Sequence, residues 1–243
     1  MKMGGGPRQF GIDEEQVPAV LKGLDLEAVD FRGFHIFAGS QILREDVLLD
    51  IQDQTVDLAI KLAQEAPGPV SFVNLGGGFG IPYFPGEERL DIARLGVALD
   101  APVARARQAF GPETVLAVEL GRFLVGEAGL YVSRIVDRKT SRGRTFLITD
   151  GGLHHHLALS GNFGQVIRKN YPVAVESRVG GEPCEIADVV GCLCTPLDRL
   201  GDQVPLPRVE TGELFVVFQS GAYGASASPS AFLGHSSASE FLA

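Results

Sequence analysis

The sequence predicts an α/β chain in two parts: a parallel β/α part, then an antiparallel β domain. Three observations predict it. Residues 30–120 alternate short apolar runs with amphipathic stretches of helical period. The apolar runs end in polar or glycine residues, as strands of a parallel sheet do where ligands gather. After residue 124, strand-like pieces follow one another with Gly, Pro and Ser turns and little helical periodicity between them. The division is expected at residues 1–124 and 125–243.

Each element has a local reason. In "DEEQVPAVLKGL", Asp13 is a candidate N-cap with Gln16 three residues on, and Val17, Val20, Leu21 and Leu24 share one helical face. "DFRGFHIF" (30–37) is short, aromatic and flanked by glycine, as a strand is. "REDVLLDIQDQTVDLAIKLAQEA" sets Leu48, Ile51, Thr55, Leu58 and Leu62 on one stripe and stops at Pro67-Gly68-Pro69. "VSFVNL" (70–75) reads as a strand covered on both faces. A helical stretch over 88–110, with a break expected at Pro102, leads to a third strand, "VLAVEL" (115–120). Beyond Arg122, "FLVGEAGLYVSRIVDRK", "TFLITDGG", "YPVAVES" and "ELFVVFQSG" read as strands, with "TSRGR" as a turn. Three βα units are too few to close a barrel, so most of its strands are expected to lie outside this chain.

Composition narrows the ligands. Hydrophobic residues make up 45% of the 243 and charged residues 21%, which describes a folded protein. The formal charge of −9, without a basic stripe, argues against nucleic acid and anionic membranes and in favour of small molecules. No apolar run approaches a bilayer span and the N-terminus lacks a signal-peptide core, so a cytoplasmic setting is expected. Three cysteines, Cys184, Cys192 and Cys194, are too few and odd in number for a disulfide framework. The Cys192–Cys194 spacing is also narrower than that of common zinc motifs. For these thiols the remaining readings are core packing or chemistry.

The strand ends carry the chemical motifs. "NLGGGFG" puts Gly76, Gly77 and Gly78 directly after a strand, where backbone N–H groups can close on a phosphate, although a tight turn is the commoner meaning of such a triplet. "VELGRFL" offers Glu119 and Arg122, which can pair with one another, or hold a protonated ring nitrogen and a phosphate respectively. "GFHIFAGSQ" offers His35 and Ser40. Three such ends side by side are less expected by chance than any one alone. "HHH" (154–156) invites a metal, but neighbours along a strand point to opposite faces, and no thiol or carboxylate spacing matches, so no metal site is expected.

"GFHIFAGSQ", "NLGGGFG", "ELGR", "GCLCTPLDRLG" and "GAYG", in this order, resemble the pyridoxal-phosphate-dependent decarboxylases that act on diaminopimelate, ornithine and arginine. "GGLHHHLALSGNFGQVIRKNYP" (151–172) is most similar to the members found beside exosortase or carrier-protein pathways. The resemblance implies an alanine-racemase-like (β/α)8 barrel followed by a β domain, a homodimer with shared sites and an amino-acid substrate, with an acyl carrier protein as a candidate partner. It implies that His35 stacks on the cofactor ring, that Glu119 holds the ring nitrogen, and that Ser40, Gly76, Gly77, Gly78, Gly121 and Arg122 hold the phosphate. Tyr223 reaches the cofactor from the second domain, and the Cys194 thiol returns a proton to the substrate, as a general acid does.

The sequence departs from the family pattern at three points. The lysine that binds the cofactor covalently has no match: Lys2, Lys22, Lys61, Lys139 and Lys169 sit in loop, helix, helix, turn and loop contexts. Thr195 stands where many members carry an acid that meets a distal amine, which weakens the case for a dibasic substrate. "HIFAGSQ" is two residues longer than the common form, which loosens the assignment of Ser40. The competing readings are a non-catalytic relative that binds or regulates, and a metal-dependent hydrolase using the histidine run.

Overall fold

The computed structural model describes residues 6–161 and 169–242. Lys2 and residues 162–168 of the "NFGQVIRKNYP" segment lie outside them. The chain divides into two compact units, residues 1–82 with 88–123, and residues 83–87 with 124–243.

The first unit holds three strands, β1 (Gly33–His35), β2 (Phe72–Asn74) and β3 (Val115–Ala117), paired in parallel in that order. Its helices are α1 (Val17–Lys22), α2 (Glu45–Ala63), α3 (Ile92–Phe110) and α4 (Gly121–Val125). The register sets Gly33 beside Phe72 and Phe72 beside Val115, so His35, Asn74 and Ala117 line up at one end. Val73 is sealed against Val56, Ala59, Val70, Leu75 and Ala106, the core that α2 and α3 form with the sheet. The strands are shorter than the apolar runs suggest. Phe72 and Val115 remain 38% and 54% exposed, so β2 alternates where burial on both faces is expected from its sequence.

Several local readings change. The region after Asp13 is a 3-10 turn at Glu14–Gln16 followed by the short α1, and the Asp13 side chain accepts from Gln16 Nε2 at 3.3 Å instead of capping a backbone N–H. Of its four-residue stripe, Leu21 alone is buried. The buried stripe of α2 is Leu48, Gln52, Thr55, Val56, Ala59 and Leu62; Ile51 and Leu58 are half-buried beside it. Gln52 earns burial by donating to the Leu75 carbonyl at 3.3 Å. α3 runs through Pro102 without a break, and Asp91 caps it by accepting from Arg94 N at 3.0 Å. Phe123–Val125 belong to α4, not to a strand.

The second unit is a six-stranded sheet in the order β6-β9-β4-β5-β7-β8, from β4 (Tyr131–Ser141), β5 (Arg144–Thr149), β6 (Val173–Val175), β7 (Glu185–Val190), β8 (Arg199–Leu206) and β9 (Leu214–Val217). Arg142 and Gly143 join β4 to β5 with φ of 50° and 79°, the two positive angles of a tight hairpin turn. β5 and β7 pair in parallel, so the domain is not antiparallel throughout. β7 and β8 have no counterpart among the strands read from sequence: "EIADVV" sinks Asp188, whose two carboxylate oxygens accept from Arg144 Nε and Nη2 at 2.8 Å each, and this masks the alternation. Among the described residues no helix is long and apolar enough to cross a membrane.

Candidate active site

The site in the first unit is built from strand tips. His35 Nε2 lies 3.0 Å from Glu119 Oε1, and Asn74 Nδ2 donates to the same oxygen at 2.9 Å. Both members of the His35–Glu119 pair are about half exposed, with side chains at 55% and 45% accessibility, so the pair is open to a ligand. Asn74 also accepts from Gly76 N at 2.9 Å and so fastens the glycine turn to the carboxylate. One asparagine therefore joins β2, the turn and Glu119. It closes an apolar run just before three glycines, a signal the sequence carries but that reads there as part of a strand.

The glycines are demanded by packing. A Cβ on Gly76 would stand 2.6 Å from the Ile36 carbonyl, and one on Gly77 would stand 2.6 Å from the Glu119 carbonyl. Gly76 and Gly78 also have φ of 71° and 101°, where L side chains are strained. The turn is thus wedged between the tips of β1 and β3. The segment around Ser40 runs alongside it: Ile42 N donates to Gly78 O at 2.8 Å, and Gly80 N donates to Ile42 O at 3.0 Å. Gly121 and the half-buried Arg122 open α4 two residues beyond Glu119. His35, Glu119 and the glycine turn are brought into contact, with Ser40, Gly121 and Arg122 next to them along the chain.

In the second unit Cys194 is exposed on the loop between β7 and β8, and Cys192 is half-buried on the same loop. Asp198 organises that loop. Its carboxylate, 2% exposed, accepts from Leu153 N at 2.6 Å and Leu193 N at 2.8 Å, which ties the loop to the histidine run. Burial pushes the Asp198 carboxyl and the Cys192 thiol up from their ordinary values. Tyr223, 44% exposed, sits at φ 61° in "GAYG".

The histidine run lies in a turn, not a strand, and its members part company. His155 Nδ1 contacts the Tyr131 hydroxyl at 3.2 Å, and its Nε2 contacts the Ser236 carbonyl at 2.7 Å. His156 Nε2 meets Ser220 Oγ at 3.2 Å, directly before "GAYG". Burial pushes His156 down to about 4, so it is neutral at pH 7. His154 faces Cys192 and His235. Asp198 and the His156–Ser220 contact are absent from the sequence reading, because nothing local links residues this far apart.

A parallel βα sheet with histidine, carboxylate and glycine turn at its tips, followed by a mainly antiparallel sheet with an exposed thiol, defines a class of cofactor-dependent decarboxylase. The chain belongs to that family: residues 20–221 match the pyridoxal-dependent decarboxylase C-terminal sheet domain. It is 40% identical, over its whole length and 57% of the relative's, to L-glutamyl-[BtrI acyl-carrier protein] decarboxylase of Niallia circulans. It is 29% identical to diaminopimelate decarboxylase of Methanothermobacter thermautotrophicus, covering 93% of this chain and 51% of the relative. A crystal structure of a diaminopimelate decarboxylase superposes with a TM-score of 0.80 at 24% identity, covering 96% of this chain and 55% of the other. The fold is accordingly α/β, the C-terminal part of an alanine-racemase-like barrel followed by its sheet domain. The chain spans about half the length of the curated relatives it matches.

Proposed function

We infer that this chain serves a pyridoxal-phosphate-dependent amino-acid decarboxylase whose substrate is carried on an acyl carrier protein. The observation that carries the reading is the 40% identity, end to end, to a decarboxylase of a carrier-bound glutamyl group. Thr195 agrees with it: the neutral residue after Cys194 gives a distal amine nothing to pair with.

Pyridoxal phosphate fits the residues present. Glu119 offers a half-exposed carboxylate, fixed by Asn74, as a partner for a ring N–H. The glycine turn has no side chains to block approach to its backbone. When bound, the cofactor draws off the electron pair left on Cα as CO₂ departs. Glu119 would keep the ring nitrogen protonated, and His35 would lie against the ring face. Ser40, Gly76, Gly77, Gly78 and Arg122 would hold the phosphate. Cys194 would deliver a proton to Cα, which its exposure permits. The lysine that the resemblance expects at a strand end is not one of Lys22 and Lys61, which stand on α1 and α2.

A homodimer with shared sites is part of the reading and is checked by sedimentation. In the polypeptide that carries this chain, Cys194→Ala should lower CO₂ release from a glutamyl-loaded carrier protein by roughly 10²–10⁴-fold, with the visible absorbance of bound cofactor intact. Unchanged turnover overturns the acid role. Faster release from free diaminopimelate than from the loaded carrier protein overturns the substrate.

A further inference from the structure

We propose that His154, Cys192 and His235 form a binding site for a borderline-soft transition-metal ion of the Zn²⁺ type. One ligand atom from each lies within 4.8 Å of the others. Two imidazoles and a thiol are the donors such an ion prefers, and with three protein ligands the fourth tetrahedral position is left to solvent. Zn²⁺ bonds of about 2.0–2.3 Å put neighbouring ligand atoms between three and four ångströms apart. The cluster is therefore within a small side-chain adjustment of closing.

A second observation points to a missing partner. His154 is 1% exposed, and its buried Nδ1 has no hydrogen-bond partner. A buried polar atom left unpaired is destabilising, so such atoms are rare and call for an explanation. Occupied by a metal ion at one ring nitrogen, the imidazole would have a reason to stand where it does. The neighbouring histidines are otherwise engaged: His155 spans Tyr131 and Ser236, and His156 contacts Ser220.

The three ligands come from segments that are already fastened to one another. Asp198 fastens the backbone next to His154 and next to Cys192, through Leu153 N and Leu193 N. His155 fastens the backbone next to His235, through the Ser236 carbonyl at 2.7 Å. Cys192 Sγ already lies 3.6 Å from His235 Nδ1 and 3.6 Å from the Asp150 carbonyl, both long contacts that a metal bond would replace. A cavity of about 290 Å³, lined in part by Ser226, Ser230, Ser237 and Glu240, adjoins His154. On binding, the thiol proton passes to solvent and a metal–thiolate bond forms, with no change of oxidation state. Because Cys192 shares its loop with Cys194, the ion would join that loop to the C-terminal segment. The assignment stands whether or not Cys194 is a proton donor.

The test uses the whole chain, stripped with a chelator and titrated with Co²⁺ alone. One equivalent should give a thiolate-to-cobalt charge-transfer band and the strong visible bands of four-coordinate Co²⁺, and Zn²⁺ should bleach both. Cys192→Ser should abolish the charge-transfer band. His235→Ala, at an exposed position that the fold tolerates, should weaken binding at least tenfold, while Cys184→Ser should leave it unchanged. The proposal fails if no band appears at one equivalent, if the band survives Cys192→Ser or is lost with Cys194→Ser instead, or if His235→Ala binds as tightly as the parent.

Discussion

In the first unit the carboxylate of interest stands half in solvent at the tips of three-residue strands, whereas in the second two carboxylates are sunk into the protein. Glu119 keeps a side chain 45% accessible, while Asp188 and Asp198 are each 2% exposed and satisfied by arginine or backbone N–H donors. The contrast separates two uses of charge. A carboxylate in solvent contributes little to stability and is free to meet a ligand. One that is buried must be fully paired, and then fixes the segments that pair with it.

The sharpest test of the contrast is Asp198→Ala, which leaves Leu153 N and Leu193 N buried without an acceptor. The expected loss is about 3–5 kcal/mol in a denaturant titration; a loss below about 1 kcal/mol would erase the distinction between the units. Next comes Arg138→Met, which strands Glu185. That carboxylate takes 2.8 Å and 2.6 Å bonds from the guanidinium, and Val209 N at 3.0 Å. The cost should be about 2–4 kcal/mol at pH 7.

The same pair gives a pH signature. Hydrogen bonding by Arg138 holds Glu185 below its ordinary value of 4.5, so the unfolded chain takes up this proton first as pH falls. The stabilisation is fully present above that value and is lost progressively below it. In Arg138→Met this part of the acid slope should flatten, as read from unfolding midpoints between neutral and acid pH.

Smaller effects are expected in the first unit. Gly77→Ala sets a methyl group 2.6 Å from the Glu119 carbonyl, so the tip of β3 must shift, at about 1–3 kcal/mol. Glu119→Gln should change stability by under about 0.5 kcal/mol. It should nevertheless weaken pyridoxal-phosphate binding roughly tenfold or more, since it replaces a charge-assisted hydrogen bond. Calorimetric binding alongside melting separates the two outcomes. A Glu119→Gln chain that unfolds early but binds as before would reverse the roles given to the two kinds of carboxylate.

Much of the first unit is legible because its signals are local. The periodicity of α2, the stop at Pro67-Gly68-Pro69 and the glycines after β2 are all set within one element. The errors there are of degree. Gln52 is buried where Ile51 is expected because the carbonyl of Leu75, just past β2, can accept from it, and Pro102 fits within α3 without breaking it. In the second unit β7 and β8 escape the reading, since their inward polar residues are balanced by Arg144 and Arg138, which approach from β5 and β4. The histidine run misleads for the same reason: its members sit in a turn, and each finds a different partner far along the chain.

The sequence alone determines what depends on near neighbours: the α/β class, the change of pattern after residue 124, the glycine turn, and the motifs that carry the family resemblance. Only the tertiary structure decides what depends on distant segments meeting: Asn74 on Glu119, Asp198 bridging two loops, the parallel pairing of β5 with β7, and His154 facing Cys192 and His235. Helical period, turn conformation and capping are governed by a few adjacent residues. Partners tens of residues apart are chosen by which buried polar groups must be satisfied once the sheets have formed, and no local pattern records that choice.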